Sequence, residues 1–243
     1  METPRYPTAI VVGASSGIGR ELVLMLAEEG TQVAALARRG DLLQALASLN
    51  SNIVPVVHDV TDYASVPGVL EKTAKTLGGC DLLIYSSAVM PEIGAHEYNF
   101  DKDREMIGIN VLGAMAWLDA VAMRFESSRH GTIVAIGSVA GDRGRRGQPV
   151  YNASKACLHA YVEALRNRLW NQGVTVTTIK PGPVDTELIA PLNMKGSMPV
   201  KEAASKILEL APSGGEKYLK FSHRVIFAVI RLLPSWIFRR IPI

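Results

Sequence analysis

Short uninterrupted apolar runs alternate along the chain with longer stretches in which apolar residues recur every three or four positions. Thr8 to Gly13 reads TAIVVG, a continuous apolar run closed by glycine, as expected of a strand buried on both faces of a parallel sheet. It leads straight into ASSGIGRELVLMLAEEG, where Ile18, Leu22, Met25 and Leu26 recur at helical spacing before Gly30 ends the helix. Further strands are predicted from Gln32 to Ala37, Ile53 to Val57 and Asp81 to Tyr85, in TIVAIGS ending at Ser138, and from Gly173 to Lys180 and Glu216 to Phe221. Helices are predicted from about Phe100 to Phe125, from Val150 onward and from Val200 to Leu210. No internal repeat and no Pro-, Gly- or Ser-rich linker interrupts this alternation. It predicts one doubly wound α/β domain over residues 1–222, a mostly parallel sheet with helices on both faces, followed by an apolar and basic extension over 223–243.

Composition narrows the class. The 243 residues suffice for one large domain with a sizeable core, and 48% hydrophobic with 20% charged residues is an ordinary globular balance. A net charge of +3, with no long basic run carrying interleaved aromatics before the C-terminus, argues against a nucleic-acid partner. The two cysteines, Cys80 and Cys157, have no partner at metal-ligand spacing, which fits a reducing compartment and argues against zinc or a disulfide framework. METPRYPTAI lacks the apolar core of a signal peptide and no apolar run reaches 18 residues, so a cytoplasmic protein without a spanning helix is expected.

The candidate chemistry sits where strands end. Gly13, Gly17 and Gly19 lie between the first strand and helix, where glycine lets the backbone turn sharply and a pyrophosphate approach the helix N-terminus. The second strand ends in Arg38-Arg39 where an enzyme using NAD usually carries an acid. Two guanidinium groups suit the 2′-phosphate of NADP, which is favoured here over NAD; the alternative is a solvated loop with Asp41 capping the next helix. Asp59, just past the third strand, is placed to accept a hydrogen bond from an adenine amino group, unless Thr61 or Asp62 simply caps the next helix. Ser86-Ser87-Ala88-Val89 comes after the fourth strand with residues small enough to pass close to a ribose. Asn110 is a polar amide among apolar neighbours and must be hydrogen-bonded, in a site or merely in the core.

The central stretch is SVAGDRGRRGQPVYNASK, from Ser138 to Lys155. On a helix Tyr151 and Lys155 share a face, about 5–6 Å apart at Cβ. A fixed ammonium there would bring a phenol from its usual pKa near 10 toward the range of efficient proton transfer. Ser138, at a strand end, would hold a substrate oxygen. The alternative is a solvent-facing pair.

Gly13-Ala14-Ser15-Ser16-Gly17-Ile18-Gly19, Asn110, Ser138, Tyr151-Asn152-Ala153-Ser154-Lys155 and Pro181-Gly182 together resemble the short-chain dehydrogenase/reductase family over about residues 7–222. The resemblance implies a seven-stranded sheet, a nicotinamide cofactor, a homodimer or homotetramer and a catalytic tetrad of Asn110, Ser138, Tyr151 and Lys155. In it Ser138 holds a ketone oxygen, Tyr151 protonates it, Lys155 lowers the pKa of Tyr151 and grips the nicotinamide ribose, and Asn110 anchors a water for proton resupply. It further implies cofactor contacts from Gly13, Ser15, Ser16, Gly17, Ile18, Gly19, Arg38, Arg39, Asp59, Val60, Ser87, Ala88, Pro181, Gly182, Val184 and Thr186, besides Tyr151 and Lys155, and no metal. Val89 departs from the family's glycine at that position. Two other classes are a dinucleotide-binding redox sensor without turnover and a membrane-associated scaffold.

The variable parts bear on the substrate. Arg143, Arg145 and Arg146 in GDRGRRGQ suit an anion, or form a solvated charge run. Glu187 to Pro199, with Met194, Gly196 and Met198, has little periodicity and suits a mobile flap or an ordinary connection. RVIFAVIRLLPSWIFRRIPI, residues 224–243, suits a membrane interface with Trp236 and Phe238 inserted and Arg239-Arg240 at headgroups, a sister subunit, or the roof of an apolar channel. SVAGDRGRR and RLLPSWIFRR locally resemble the ketosugar-reductase component of decaprenylphosphoryl-ribose 2-epimerase and its bacterial relatives. That implies a polyprenyl-phosphate-linked ketosugar; another lipid-like ketone, a sterol or 3-ketoacyl chain, fits as well.

Overall fold

The structure, a computed structural model, describes residues 3–94, 96–192 and 196–241. In chain order the elements are β1 (Thr8–Val12), α1 (Gly17–Glu28), β2 (Gln32–Ala37), α2 (Gly40–Ala47), β3 (Ile53–Val57), α3 (Val66–Leu77), β4 (Leu82–Tyr85), α4 (Phe100–Ile107), α5 (Ala114–Ser128), β5 (Gly131–Ile136), α6 (Pro149–Leu169), β6 (Val174–Lys180), α7 (Val200–Leu210), β7 (Gly215–Tyr218), α8 (Phe221–Leu232) and α9 (Ser235–Phe238). The seven strands form one parallel sheet in the order β3-β2-β1-β4-β5-β6-β7. Val12 pairs with Leu36 on one side and with Tyr85 on the other. The order reverses between β1 and β4, and that switch point leaves a crevice beyond the strand ends.

A parallel sheet needs cover on both faces, which explains the uninterrupted apolar runs: β1, β4 and β5 are buried at every position. Alternate residues feed two cores. Ile10, Val12, Leu36 and Leu83 meet Leu70, Trp117, Val121, Phe125, Leu158 and Val162 from α3, α5 and α6. Val11, Val33, Leu82 and Ile84 meet Leu22, Leu26, Leu43, Leu46 and Ile207 from α1, α2 and α7. Each fully buried aliphatic side chain contributes about 1.5–3 kcal/mol, so both layers are strongly fixed. The helical stretch Phe100–Ser128 has the length and hydropathy of a membrane span, but 61% of its apolar window is buried inside the protein, much of it on the sheet.

Two sequence expectations are corrected. The predicted long helix is interrupted by a π-helical turn, Gly108–Gly113. A π turn inserts an extra residue and rotates the helix beyond it, and here Tyr63 and Tyr85 donate to the Gly108 and Ile109 carbonyls at 3.1 and 2.9 Å. The last strand stops at Tyr218, and Phe221 opens a helix instead. Of the expected flap, Met194 lies outside the described residues, while Met198 is buried and bridges to Val184.

The C-terminal segment is tied to the domain. Lys180, only 1% exposed, binds Asp142 and Glu216 at 2.8 Å each, and Arg231 of α8 reaches the same Asp142 oxygen at 2.8 Å. Tyr218 donates to the other Asp142 oxygen at 2.7 Å. Arg143 donates to the Ile230 carbonyl at 2.6 Å and to that of Leu233, and its guanidinium stacks 4.3 Å from the Phe238 ring centre. Arg146 donates to the Arg239 carbonyl. Arg143 and Arg146 therefore serve the helix C-termini, where carbonyls lack partners; Arg143 is half-buried there, while Arg146 remains solvent-exposed.

Candidate active site

The loops after β1 to β6 converge on one cavity of about 820 Å³. Gly13, Ser15, Ser16, Gly17 and Ile18 come from the first, Arg38 and Arg39 from the second, and His58 and Val60 from the third. Ser87, Ala88 and Val89 come after β4, Ser138 after β5, and Pro181, Gly182, Val184 and Thr186 after β6. Tyr151 and Lys155 project from α6.

The glycine turn is a cradle that a side chain would fill. Gly13 has φ +90°, and a Cβ there would lie 2.5 Å from the Ser87 nitrogen; one at Gly19 would lie 2.1 Å from the Gly13 carbonyl oxygen. Gly19 thus supports the turn from behind and is absent from the cavity wall. Ser16 caps α1 by position but makes no side-chain cap bond. The first N–H groups of the helix, with the positive end of its dipole, are left for an anion.

Arg39 folds back over this turn. Its Nε and Nη2 donate to Ser15 Oγ at 3.1 and 2.9 Å, and Nη2 to Ser16 Oγ at 2.7 Å. Arg38 makes only a loose 3.8 Å pair with Asp59, both partners being solvent-exposed, a contact worth little in itself. Asp59 is held in its own turn. Its Oδ1 accepts from the Thr61 N–H and hydroxyl at 2.9 and 2.8 Å, and it is absent from the cavity wall, where Val60 stands instead. Neither Thr61 nor Asp62 caps the following helix through a side-chain hydrogen bond among the described residues; the bonds here close a local turn at Asp59.

Asn110 is 1% exposed. Its Oδ1 accepts from Val89 N at 2.8 Å, and its Nδ2 donates to Val89 O at 2.9 Å and Ser154 Oγ at 3.3 Å. The π turn aims this amide across the strand end, where it clamps the backbone at the position that departs from the family pattern.

Tyr151 and Lys155 lie among the buried residues of α6, a stripe that continues through Leu158, Val162, Leu165 and Leu169. They face the crevice, so the solvent-facing alternative is excluded. Lys155 Nζ lies 5.8 Å from the Tyr151 ring centre and donates to the Ile136 carbonyl at 3.0 Å. Burial pushes its ammonium down to about 8. The expected electrostatics of Tyr151 need revision. Burial raises the phenol above its ordinary value, and what opposes burial is Ser138 beside it and the charge of Arg145, not Lys155. The reason is position: the ammonium sits under the ring and is held to a strand carbonyl.

Two supporting residues escaped sequence reading. His159, one turn beyond Lys155, accepts from the Ser138 backbone N–H through Nε2 at 3.3 Å. Burial above all, with the charge of Lys180 adding to it, pushes this imidazole down to about 3, so it stays a neutral acceptor. It packs against Gly137 and Gly141, where a Cβ would meet its ring at 2.4 and 2.6 Å. His223 of α8 fills the space over Gly182 in the same way. Nothing local in the sequence links these histidines to the serine or glycine they brace.

Strand order and a glycine turn at the switch point define a Rossmann-type fold. The profile of the short chain dehydrogenase family matches residues 7–196. An uncharacterized oxidoreductase of Myxococcus xanthus is 38% identical over 213 residues, 86% of this chain and 83% of that protein. One from Staphylococcus aureus is 34% identical over 76% of this chain and 81% of its own. A short chain dehydrogenase from Burkholderia cenocepacia, crystallised in complex with NADP, is 24% identical with a TM-score of 0.84 over 98% of both chains. The chain belongs to the short chain dehydrogenase family, and it is an oxidoreductase.

Proposed function

We propose that the protein is an NADP(H)-dependent reductase of ketones, or dehydrogenase of the matching secondary alcohols, acting on an apolar substrate. The observation that carries this reading is the burial of Tyr151 and Lys155 in one crevice with Ser138 and the glycine cradle. A pure sensor has no use for that pair. Bound NADPH supplies the hydride that reduces the carbonyl carbon. Ser138 Oγ donates to the carbonyl oxygen and Tyr151 gives it the proton as the C=O π bond breaks. Lys155, protonated below about pH 8, holds the ribose hydroxyls, while the Ser138 hydroxyl and the charge of Arg145 stabilise the phenolate left on Tyr151 until solvent reprotonates it. Asn110 holds the Val89 backbone in place, and the water relay implied by the family resemblance would use its remaining acceptor capacity. Val89, Met90, Pro91, Leu188 and Ile189 give the wall its apolar stretch, which supports a lipid-like ketone.

Arg38 and Arg39 flank the glycine turn and support a 2′-phosphate ligand. A charge-assisted contact of about 1.5–3 kcal/mol corresponds to about 10- to 150-fold in affinity. Arg38→Ala/Arg39→Ala is expected to weaken NADPH binding by that much in fluorescence titration and to leave NADH within about twofold. Equal losses for both cofactors contradict the assignment.

The outer face of α8 is apolar and exposed at Phe221, Val225, Val229 and Leu232, with Trp236 beyond. Residues 217–243 contain no Asp or Glu. This charge pattern supports contact with an anionic lipid surface. Val225→Glu/Val229→Glu is expected to abolish co-flotation with phosphatidylglycerol vesicles without lowering ketone reduction in solution. Unchanged flotation, or a fall in sedimentation mass with no effect on flotation, means that the stripe meets something else, in the second case another copy of the chain.

A further inference from the structure

Of the three arginines in GDRGRRGQ, two are spent on the C-terminal helices. Arg145 differs from both. It lines the cavity beside Tyr151 and Ser138, and its Nε is buried without a hydrogen-bond partner among the described residues. Its one side-chain hydrogen bond is long, from Nη2 to Asn152 Oδ1 at 3.5 Å. The two carboxylates on the cavity wall do not neutralise it: Glu187 pairs with Arg39 at 3.5 Å, and Glu105 forms no ion pair among the described residues. A half-buried guanidinium without a counter-ion is costly, and its retention in a cleft marks a group that a ligand completes.

Gln148 adds a second open polar group to the same wall, one that calls for a donor and not for an anion. It enters α6 with φ +55°, a left-handed conformation rare outside glycine, and its Oε1 is a second buried polar atom without a partner on the same wall. A donor fork and an acceptor thus stand open next to the hydroxyls that hold the ketone.

We propose that Arg145 receives a carboxylate carried by the substrate itself, so that the enzyme selects oxo-acids, and the hydroxy acids formed from them, over neutral ketones. This rests on the reductase reading and narrows it. The acid's apolar chain lies along Val89, Met90 and Ile189, its carbonyl meets Tyr151 and Ser138, and its carboxylate meets the guanidinium. Arg145 is a specificity-determining residue and takes no part in the proton transfer itself. It also opposes the burial of Tyr151, so its removal slows all substrates and the informative quantity is a ratio.

The test uses the full chain and a series of aliphatic oxo-acids of increasing length, each against its methyl ester. In the wild type the best acid is expected to exceed its ester in kcat/KM by about 10- to 100-fold. Arg145→Gln should bring that ratio to near one, and Arg145→Lys should restore part of it. A ratio that is near one in the wild type, or unchanged in Arg145→Gln, overturns the proposal and leaves the reductase reading standing. Thermal shifts of the NADP-loaded protein with hexanoate and with methyl hexanoate separate the two ideas without turnover. Stabilisation by hexanoate that disappears in Arg145→Gln, with no ketone reduced, upholds the anion site and sinks the reductase reading. No stabilisation by hexanoate, together with no acid preference, overturns the anion site.

Discussion

Tyr151→Phe is expected to lower kcat for ketone reduction by about 10²- to 10⁴-fold, the usual contribution of a positioned general acid. The substitution removes one oxygen from a buried ring and leaves its packing, so NADPH should bind within about twofold of the wild type. Lys155→Met should behave differently. It removes both the ammonium beside the phenol and the donor to the Ile136 carbonyl, so cofactor affinity should fall along with kcat. Stopped-flow absorbance of the nicotinamide, with binding measured separately by fluorescence, distinguishes the two. Retention of full turnover in Tyr151→Phe would remove the phenol from the mechanism.

Asp142→Ala is the substitution with the largest expected effect on stability. Asp142 accepts from Lys180, Arg231 and Tyr218, and its loss leaves the Lys180 ammonium buried with Glu216 alone. Breaking such a buried pair costs about 3–5 kcal/mol. The damage should reach the site, because the same loop carries Arg143 and Arg145 and the same tail carries His223. Trypsin should cut readily after Arg224 and Arg231 in the variant and slowly in the wild type. The pH dependence has a definite sign. Burial alone would raise the Asp142 pKa, but the hydrogen bonds from Lys180 and Tyr218 and the charges of Lys180 and Arg231 outweigh it and hold the carboxyl below its ordinary value. Its contribution is therefore complete above the unfolded pKa of about 3.9 and is lost as pH falls through the lower folded value. Wild-type thermal stability should drop steeply below about pH 4, and the drop should be shallower in Asp142→Ala.

Much of the fold was legible because a parallel sheet demands strands apolar on both faces, and TAIVVG and its counterparts have no other good use. Most predicted strand ends fall within a residue or two of the observed ones. The π turn at Asn110 was not legible, since Met106 is the one buried residue of α4, too few apolar positions before the turn to reveal the shift in phase beyond it. The glycines, Ser138, Tyr151 and Lys155 stand in motifs whose spacing is local, so their convergence could be foreseen. The sorting of Arg143, Arg145 and Arg146 could not, because it depends on where α8 and α9 end, some ninety residues later in the chain. The turn at Asp59 is ambiguous for a related reason: an acid just past a strand closes its own turn as readily as it meets a ligand. The electrostatics of Tyr151 were read from the helical spacing of Lys155, but distance along a helix does not show how deeply a pair is buried.

The central claim is that Tyr151 is the proton donor at a nicotinamide held in this crevice. A crystal structure of the protein with NADP⁺ tests it most directly. The pyrophosphate is expected at the N-terminus of α1, the 2′-phosphate between Arg38 and Arg39, and the nicotinamide ring on the same side of the crevice as the Tyr151 hydroxyl, with room between them for one carbonyl group. A nicotinamide bound elsewhere, or a Tyr151 hydroxyl turned away from it, contradicts the account.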